Sequence, residues 1–193
     1  MRYFTSDIHA FHKGVMNFCA DTRDGQDEEE MTEIWVHNLN ETVGRSDELY
    51  ILGDFSFGNY DRTQQLIRKI KCPNKHIILG NHDRLFHKND HLHRHFRSVS
   101  SYKEIRLNDE NKTKVVMSHF PMMEWNQCSY GAIMLHGHCH GGLGQSKYRI
   151  MDVGVDARSD KLMIPFSEEE ILKIMETREI MKHHGGRSYQ DGL

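Results

Sequence analysis

Along this chain, ligand-type residues fall at the end of one apolar run after another. They are Asp7 and His9 in YFTSDIH, Asp54 in LYILGDF, Asn81 beside His82 in HIILGNHD, His119 in KVVMSHF, and His138 and His140 in IMLHGHCH. A strand that stops at a ligand, repeated five times, gathers those ligands at one end of a sheet. Carboxylate, imidazole and one carboxamide together suit a pair of hard or borderline divalent ions. Such a set points to metal-assisted hydrolysis.

The segments between these ends alternate in period. Arg2–Ser6, Leu49–Leu52, His76–Leu79, Ser101–Leu107, Lys114–Ser118, Ile133–His136 and Tyr148–Val155 read as strands. His12–Cys19 reads as a short helix and Arg62–Ile70 as a longer one closed by Cys72-Pro73. Asp27–Val43 places Met31, Ile34, Trp35, Leu39 and Val43 at helical spacing, with acids in the first turn and Gly44 as the stop. Ser167-Glu-Glu-Glu170 is a capping box opening a helix that continues through Ile180. Arg84–Arg97 fits no single template. Strands and helices alternate early and strands cluster late, which predicts a layered α/β protein with mixed sheets.

At 193 residues the chain is long enough for one domain with a real core, assigned to 1–182 with a polar tail at 183–193. A formal charge of −3 gives no global attraction to nucleic acid or to a membrane surface. No apolar run is long enough to span a bilayer, and MRYFTSDIH does not read as a signal peptide. Cys19, Cys72, Cys128 and Cys139 show no CxxC spacing and read as reduced thiols of a cytoplasmic protein.

In an extended segment, side chains alternate faces, so Asp7 and His9 would share one face and His138 and His140 another, with Cys139 pointing away. Asp54, a lone acid after a strand, is the natural bridge between two ions about 3.5–4 Å apart. Glycines precede Asp54, Asn81 and His138 and would let the backbone turn tightly or approach a ligand. The word Gly80-Asn-His-Asp83 is the most specific element: it arises by chance in about one chain per thousand of this length.

In this order, D-x-H, G-D, G-N-H-D, H and G-H-x-H, the motifs resemble those of the calcineurin-like metallophosphoesterase superfamily, from Tyr3 to His140. Within it the chain is similar to small bacterial and phage-borne phosphoesterases, in EEMTEIWVHNLNETVG, LYILGDFSFGN and DVGVDA. The resemblance implies a four-layer α/β/β/α sandwich of two mixed sheets flanked by helices. It implies one metal on Asp7, His9, Asp54 and His140, and another on Asp54, Asn81, His119 and His138. Manganese fits that set best, with nickel, iron or zinc as substitutes. A metal-bridging hydroxide would attack phosphorus in line, with His82 protonating the leaving oxygen or stabilising the transition state.

Many relatives carry a second acid three residues after the bridging one. Here that position is Phe57, so Asp83 or a backbone carbonyl is left to steady His82. His12 is a candidate phosphate contact. Arg84, Lys88, Arg94 and Arg97, with interleaved histidines, are a candidate substrate rim, against the alternative of a solvated helix face. Phe55 and Phe57 read as packing residues rather than a base-stacking platform. The expected substrate is a phosphodiester, of cyclic-nucleotide or nucleic-acid type. The alternatives are a phosphomonoesterase and, more remotely, a binding scaffold. The expected compartment is the cytoplasm of a bacterium or of phage-infected cells, with neither membrane association nor an obligate protein partner.

Overall fold

The apolar runs that lead to Asp7, Asp54, Asn81, His119 and His138 form parallel strands buried on both faces, which is why they read as continuous hydrophobic stretches. In the computed structural model, which describes residues 1–182, these strands sort into two mixed sheets. The polar tail at 183–193 lies outside the described residues. In the first sheet β1 (Arg2–Thr5), β2 (Glu48–Ile51), β3 (Asn74–Ile78) and β4 (Ser98–Ser100) run parallel. A two-residue strand late in the chain, Phe166–Ser167, closes this sheet antiparallel to β1. In the second sheet β5 (Tyr102–Arg106) is antiparallel to β6 (Lys114–Ser118), and β7 (Ile133–His136) and β8 (Ile150–Asp152) follow in parallel. The late strand Phe166–Ser167 is β9.

Alternation along each strand builds two cores. Leu49, Ile51 and Ile77 face helices, joining Trp35, Leu39, Leu66 and Ile67. Their neighbours Tyr50, Leu52 and Ile78 face the second sheet, joining Val115, Met117, Ile133 and Leu135. The outer face of the second sheet, Val116 and Met134, is covered by Trp125, Cys128 and Ala132 from the connection before β7.

The helices on the first sheet are α1 (Lys13–Phe18), α2 (Glu28–Thr42), α3 (Tyr60–Lys69), α4 (Arg84–Lys88) and α5 (Asp90–His93). Asp27 caps α2 by accepting from the Glu29 and Glu30 amides, and Asn59 caps α3 through the Arg62 amide. The run Arg84–Arg97 resolves into α4 and α5, which bury Phe86, Leu92 and Phe96 and lead into β4. Neither β4 nor β9 is legible as a period in so few residues. Gly44 follows α2 without adopting a left-handed conformation; its amide is instead taken by the Asp47 carboxylate at 2.8 Å. No helix among the described residues is long and apolar enough to cross a membrane.

The capping box is present as the sequence implies: Ser167 accepts from the Glu170 amide while Glu170 accepts from the Ser167 amide. The helix it opens, α6 (Glu168–Glu176), stops short of Ile180. Past Thr177 the chain turns to pair with the segment before β8, where the Glu179 amide donates to Lys147 O at 2.8 Å. The expected strand Tyr148–Val155 likewise shortens to β8, since Gly154 and Val155 turn toward the end of β1. Ser167→Ala removes half of the box and should lower stability by about 1 kcal/mol, read as a lower urea midpoint at unchanged slope.

Candidate metal centre

The site is made by the turns that leave the strands. After β1 and β2 the two segments run side by side: the Asp7 amide donates to Gly53 O, His9 to Asp54 O and Ala10 to Phe55 O, at 3.0, 2.9 and 3.1 Å. Asp7, His9, Asp54, His138 and His140 all have positive φ, between 48° and 69°. The extended, period-two geometry expected for Asp7-x-His9 and His138-x-His140 is therefore absent. Left-handed turns bring each pair together instead. That conformation is unfavourable for residues with a Cβ and concentrates at functional sites.

Two glycines make room for this crowding. A Cβ on Gly137 would lie 1.9 Å from Ser6 Oγ and 2.4 Å from Asp7 Oδ2. One on Gly80 would lie 2.3 Å from Asp54 Oδ1.

The seven expected ligands converge in two groups, Asp7 with His9 and His140, and Asp54 with His119 and His138. Asn81 joins the second, its Oδ1 lying 3.0 Å from His119 Nε2. Asp54 Oδ2 stands 3.5 Å from His9 Nε2 and 3.5 Å from His119 Nε2, so one carboxylate oxygen serves both groups. Asp7 Oδ1 lies 3.8 Å from His9 Nε2 and 3.9 Å from His140 Nε2. Both carboxylates are buried, at 0% and 2% exposure. Both ring nitrogens of His9 are buried without a hydrogen-bond partner among the described residues. An orphaned imidazole between two buried acids fits a cation.

The acids are held in place by other buried groups. Asp83 is 1% exposed, and its carboxylate accepts from the amides of Asp54 (2.8 Å), Gly80 (2.8 Å) and Phe55 (2.9 Å). It ties the turn after β2 to the turn after β3, so neither a catalytic role nor the steadying of His82 falls to it. Sequence reading missed Asp156 and Arg23. Asp156 bonds His140 Nδ1 at 2.6 Å and receives Arg23 through Nε and Nη2, while Arg23 also donates to Asp7 O and Ile8 O. An acid on the far nitrogen of a ligating histidine fixes its tautomer and direction. The only signal was DVGVDA, where Asp152 and Asp156 follow an apolar run as Asp54 does. Nothing in the sequence marks Arg23.

Electrostatics follow from these contacts. Burial alone would raise the Asp54 carboxyl; the His119 hydrogen bond and charge, with the His82 amide, outweigh it and hold it below its ordinary value. His119 is raised because the Asp54 bond overcomes desolvation. The Asp156 hydrogen bond raises His140. Asp156 itself is lowered, burial being overcome by His140 and Arg23. Burial pushes the Cys19 thiol up to about 11, so although Sγ sits 3.7 Å from His140 Nδ1 it is a protonated neighbour at neutral pH.

His82 is not among the donors of either group. Its amide donates to Asp54 Oδ1 at 2.9 Å, and its ring is part-exposed with Nε2 4.0 Å from Asp54 Oδ2. Phe55 is buried packing, as expected, but Phe57 is 39% exposed. It stacks on His12 at 3.9 Å between centroids and packs against His9 and His82 at 5.2 and 4.9 Å. The Phe57 ring thus joins His9, His12 and His82 on one side of the site. The expected rim divides. Arg84 opens α4 beside the cleft and Lys88 ends that helix, both exposed. Arg97 is a correction: its amide bonds Lys75 O at 2.7 Å, at the start of β3 and the opposite end from Asn81. Arg94 follows α5 on the same crossing, exposed above buried Leu92 and Phe96.

The fold and site define an α/β protein of two mixed sheets with His/Asp groups at the strand ends that could hold a metal ion. The chain belongs to the family of the mycobacteriophage Gene 66 proteins. It is 32% identical to Gene 66 protein of Mycobacterium phage D29 over 195 aligned positions, covering 86% of this chain and 92% of that one. To Gene 66 protein of Mycobacterium phage L5 it is 30% identical over 183 positions, covering 80% and 86%. The crystal structure of a protein of unknown function from Aquifex aeolicus shares the fold, with a TM-score of 0.67 at 22% identity over 90% of this chain and 98% of that one. No family model matches the chain.

Asp83→Ala strands three buried amides, each costing about 1–3 kcal/mol. It should destabilise the chain by several times the Ser167→Ala loss, and a denaturation midpoint close to that of the parent would refute the tie. Metal uptake should also depend on pH. His119 and His140 bind protons more readily than ordinary histidines, and a ligand imidazole must be neutral. Apparent affinity for a divalent ion should therefore fall steadily between about pH 8 and pH 6, with proton release on binding measurable by calorimetry in two buffers.

Proposed function

We propose that the chain is a metal-dependent phosphoric ester hydrolase of the calcineurin-like metallophosphoesterase kind, acting on phosphodiesters of cyclic-nucleotide or nucleic-acid type. The observation that carries this reading is the position of Asp54 Oδ2, 3.5 Å from an imidazole nitrogen of each ligand group. A carboxylate shared in that way is what a dinuclear centre requires. Asp7, His9 and His140 would hold one ion, Asn81, His119 and His138 the other, and Asp54 both. With oxygen and nitrogen donors, manganese is the first choice and nickel, iron or zinc the alternatives. Two such ions supply an activated water near neutral pH and neutralise charge building on the phosphoryl oxygens.

The chain's own residues supply the rest. Asp156 and Arg23 keep His140 aimed inward. Asp83 holds the two turns that carry Asp54 and Asn81 in register. His82, anchored by its amide on Asp54 and packed against Phe57, keeps its ring free to donate to a leaving oxygen. Exposed Phe57 packs on His9 and His82 and exposed Phe120 on His119 and His138, apolar surface beside each group that favours a diester with substituents on both sides of phosphorus. The two sheets read as the centre of a four-layer sandwich. Its helical layer is α2 to α5, and its other outer layer is the connection carrying Trp125 and Cys128 over the second sheet.

The test is hydrolysis of bis-p-nitrophenyl phosphate against p-nitrophenyl phosphate with added Mn²⁺, alongside elemental analysis. The diester should react faster, chelation should stop it, and Asp54→Asn should lose both metal and activity. A faster monoester would make the chain a phosphatase, and a fully loaded but inert protein would make it a binding scaffold. His82→Ala should slow alkyl or ribose esters by about 10²–10⁴ while slowing nitrophenyl esters far less, since a general acid matters most for a poor leaving group. Equal loss on both would assign His82 to transition-state charge instead.

A further inference from the structure

The second sheet carries another concentration of function-bearing residues at its opposite end. Parallel strands β6, β7 and β8 lead at their C-terminal ends to His119, Gly137–His140 and Gly154. At their N-terminal ends is a cavity of about 320 Å³ lined by Arg106, Lys112, Lys114, Tyr130, Gly131 and Arg149, among others. Its volume falls within the range of small-molecule sites, about 300–1,000 Å³. Lys114 opens β6 and His119 follows its end, so strand rise separates this cavity from the metal centre by roughly 16 Å.

Four cations converge on this cavity in a chain whose formal charge is −3. Lys114 is answered by Glu104 at 2.7 Å. That carboxyl is held down at about 2 by Lys114, Tyr102 and Asn126. Asp109, in the turn before Lys112, is bound by the Thr113 amide and hydroxyl. Arg106, Lys112 and Arg149 form no ion pair among the described residues. Arg149 is the most telling. Its Nη1 donates to Gly131 O at 3.1 Å, while its Nε is buried with no partner among the described residues. That buried Nε is closed to a ligand, but Arg149 lines the cavity, and a guanidinium fork with donors left over after Gly131 O suits a phosphate oxygen.

The rim adds a second element. Gln127 and Gly131, at φ 63° and 88°, bracket the turn Cys128–Tyr130. Left-handed backbone at Gln127 is a strained choice for a residue with a side chain. The turn it shapes leaves Tyr130 at the cavity mouth, 87% exposed. An aromatic ring standing in solvent beside cations is a platform on which a base can stack.

We propose that this cavity binds a nucleotide unit, with phosphates against Arg106, Lys112 and Arg149 and the base on Tyr130. The unit is either a free nucleotide or the end of a single strand. The site is independent of the metal centre and of the reaction proposed there.

Titration calorimetry of the full chain with tripolyphosphate, a nucleoside triphosphate and a short single-stranded oligonucleotide tests it. The variants are Arg106→Gln with Lys112→Gln, Tyr130→Ala, and Asp54→Asn. The nucleoside triphosphate should bind roughly fivefold or more tightly than tripolyphosphate, and Tyr130→Ala should erase that excess. In metal-free buffer the double variant, which changes two exposed side chains, should weaken all three probes by about tenfold or more, while Asp54→Asn leaves that double-variant-sensitive binding in place. An oligonucleotide that binds more tightly than the nucleotide, with log affinity falling by about 0.7 per phosphate contact per log unit of salt, identifies a strand as the ligand. Equal or weaker binding identifies the free nucleotide. Binding that vanishes in Asp54→Asn and survives the double variant puts the anion at the metal centre and overturns the proposal. So does failure of all three probes to bind at millimolar concentration.

Discussion

Two buried carboxylates, Asp7 and Asp54, share a small volume at the ends of neighbouring parallel strands, and much of the surrounding structure exists to permit it. Buried acids of this kind need compensation, because charge in a low-dielectric interior must be paired or hydrogen-bonded. The compensation comes from several directions. The His138 amide donates to both oxygens of Asp7, at 2.9 and 3.1 Å. The His82 amide donates to Asp54, and imidazoles of His9 and His119 face the same oxygen. Arg23 adds a buried cation behind the Asp7 backbone.

Holding those groups together requires backbone that the chain would otherwise avoid. Five of the seven expected ligands sit in left-handed conformations, each unfavourable for a residue with a Cβ. The strain is maintained by over-determination. Asp83 fixes one turn to the next with three amide bonds, Ser6 Oγ bonds Leu52 O at 2.8 Å, and Gly80 and Gly137 remove the atoms that would collide. Stability from the two cores beneath is therefore partly offset by a surface layer arranged for something other than stability, as at many functional sites. The second sheet shows the same division along its strands. Its C-terminal ends carry imidazole, and its N-terminal ends carry cations, with one buried donor unmatched among the described residues.

The elements that sequence reading placed well are those whose pattern is local. Lys114–Ser118 and Ile133–His136 match their strands to the residue, and Ser167 with Glu170 forms the capping box its spacing implies. The residues that converge at the strand ends were visible because each follows an apolar run, and the glycines before Asp54, Asn81 and His138 were legible as places of close approach. What failed had no local signature. β4 and β9 are too short to show a period, and α6 ends early because Glu179 finds a partner at Lys147, distant in sequence. Arg97 looked continuous with the cleft in sequence but is carried to the far end of β3 by the crossing through α4 and α5.

By itself, the sequence determined the α/β class, most of the strands and the identity of the residues that meet at their ends, because hydrophobic period and punctuation are properties of neighbours along the chain. Only the tertiary structure decided how those residues meet. It replaced an extended geometry by left-handed turns, assigned Asp83 to backbone amides rather than to His82, and recruited Asp156 and Arg23, fifteen or more positions from the groups they serve. It also drew Arg106 and Lys112 of the β5–β6 hairpin and Arg149 before β8 around one cavity. The reason is physical: hydrogen-bond satisfaction of buried charge is settled by whatever the fold brings within about 3 Å, and spacing in sequence does not encode that distance.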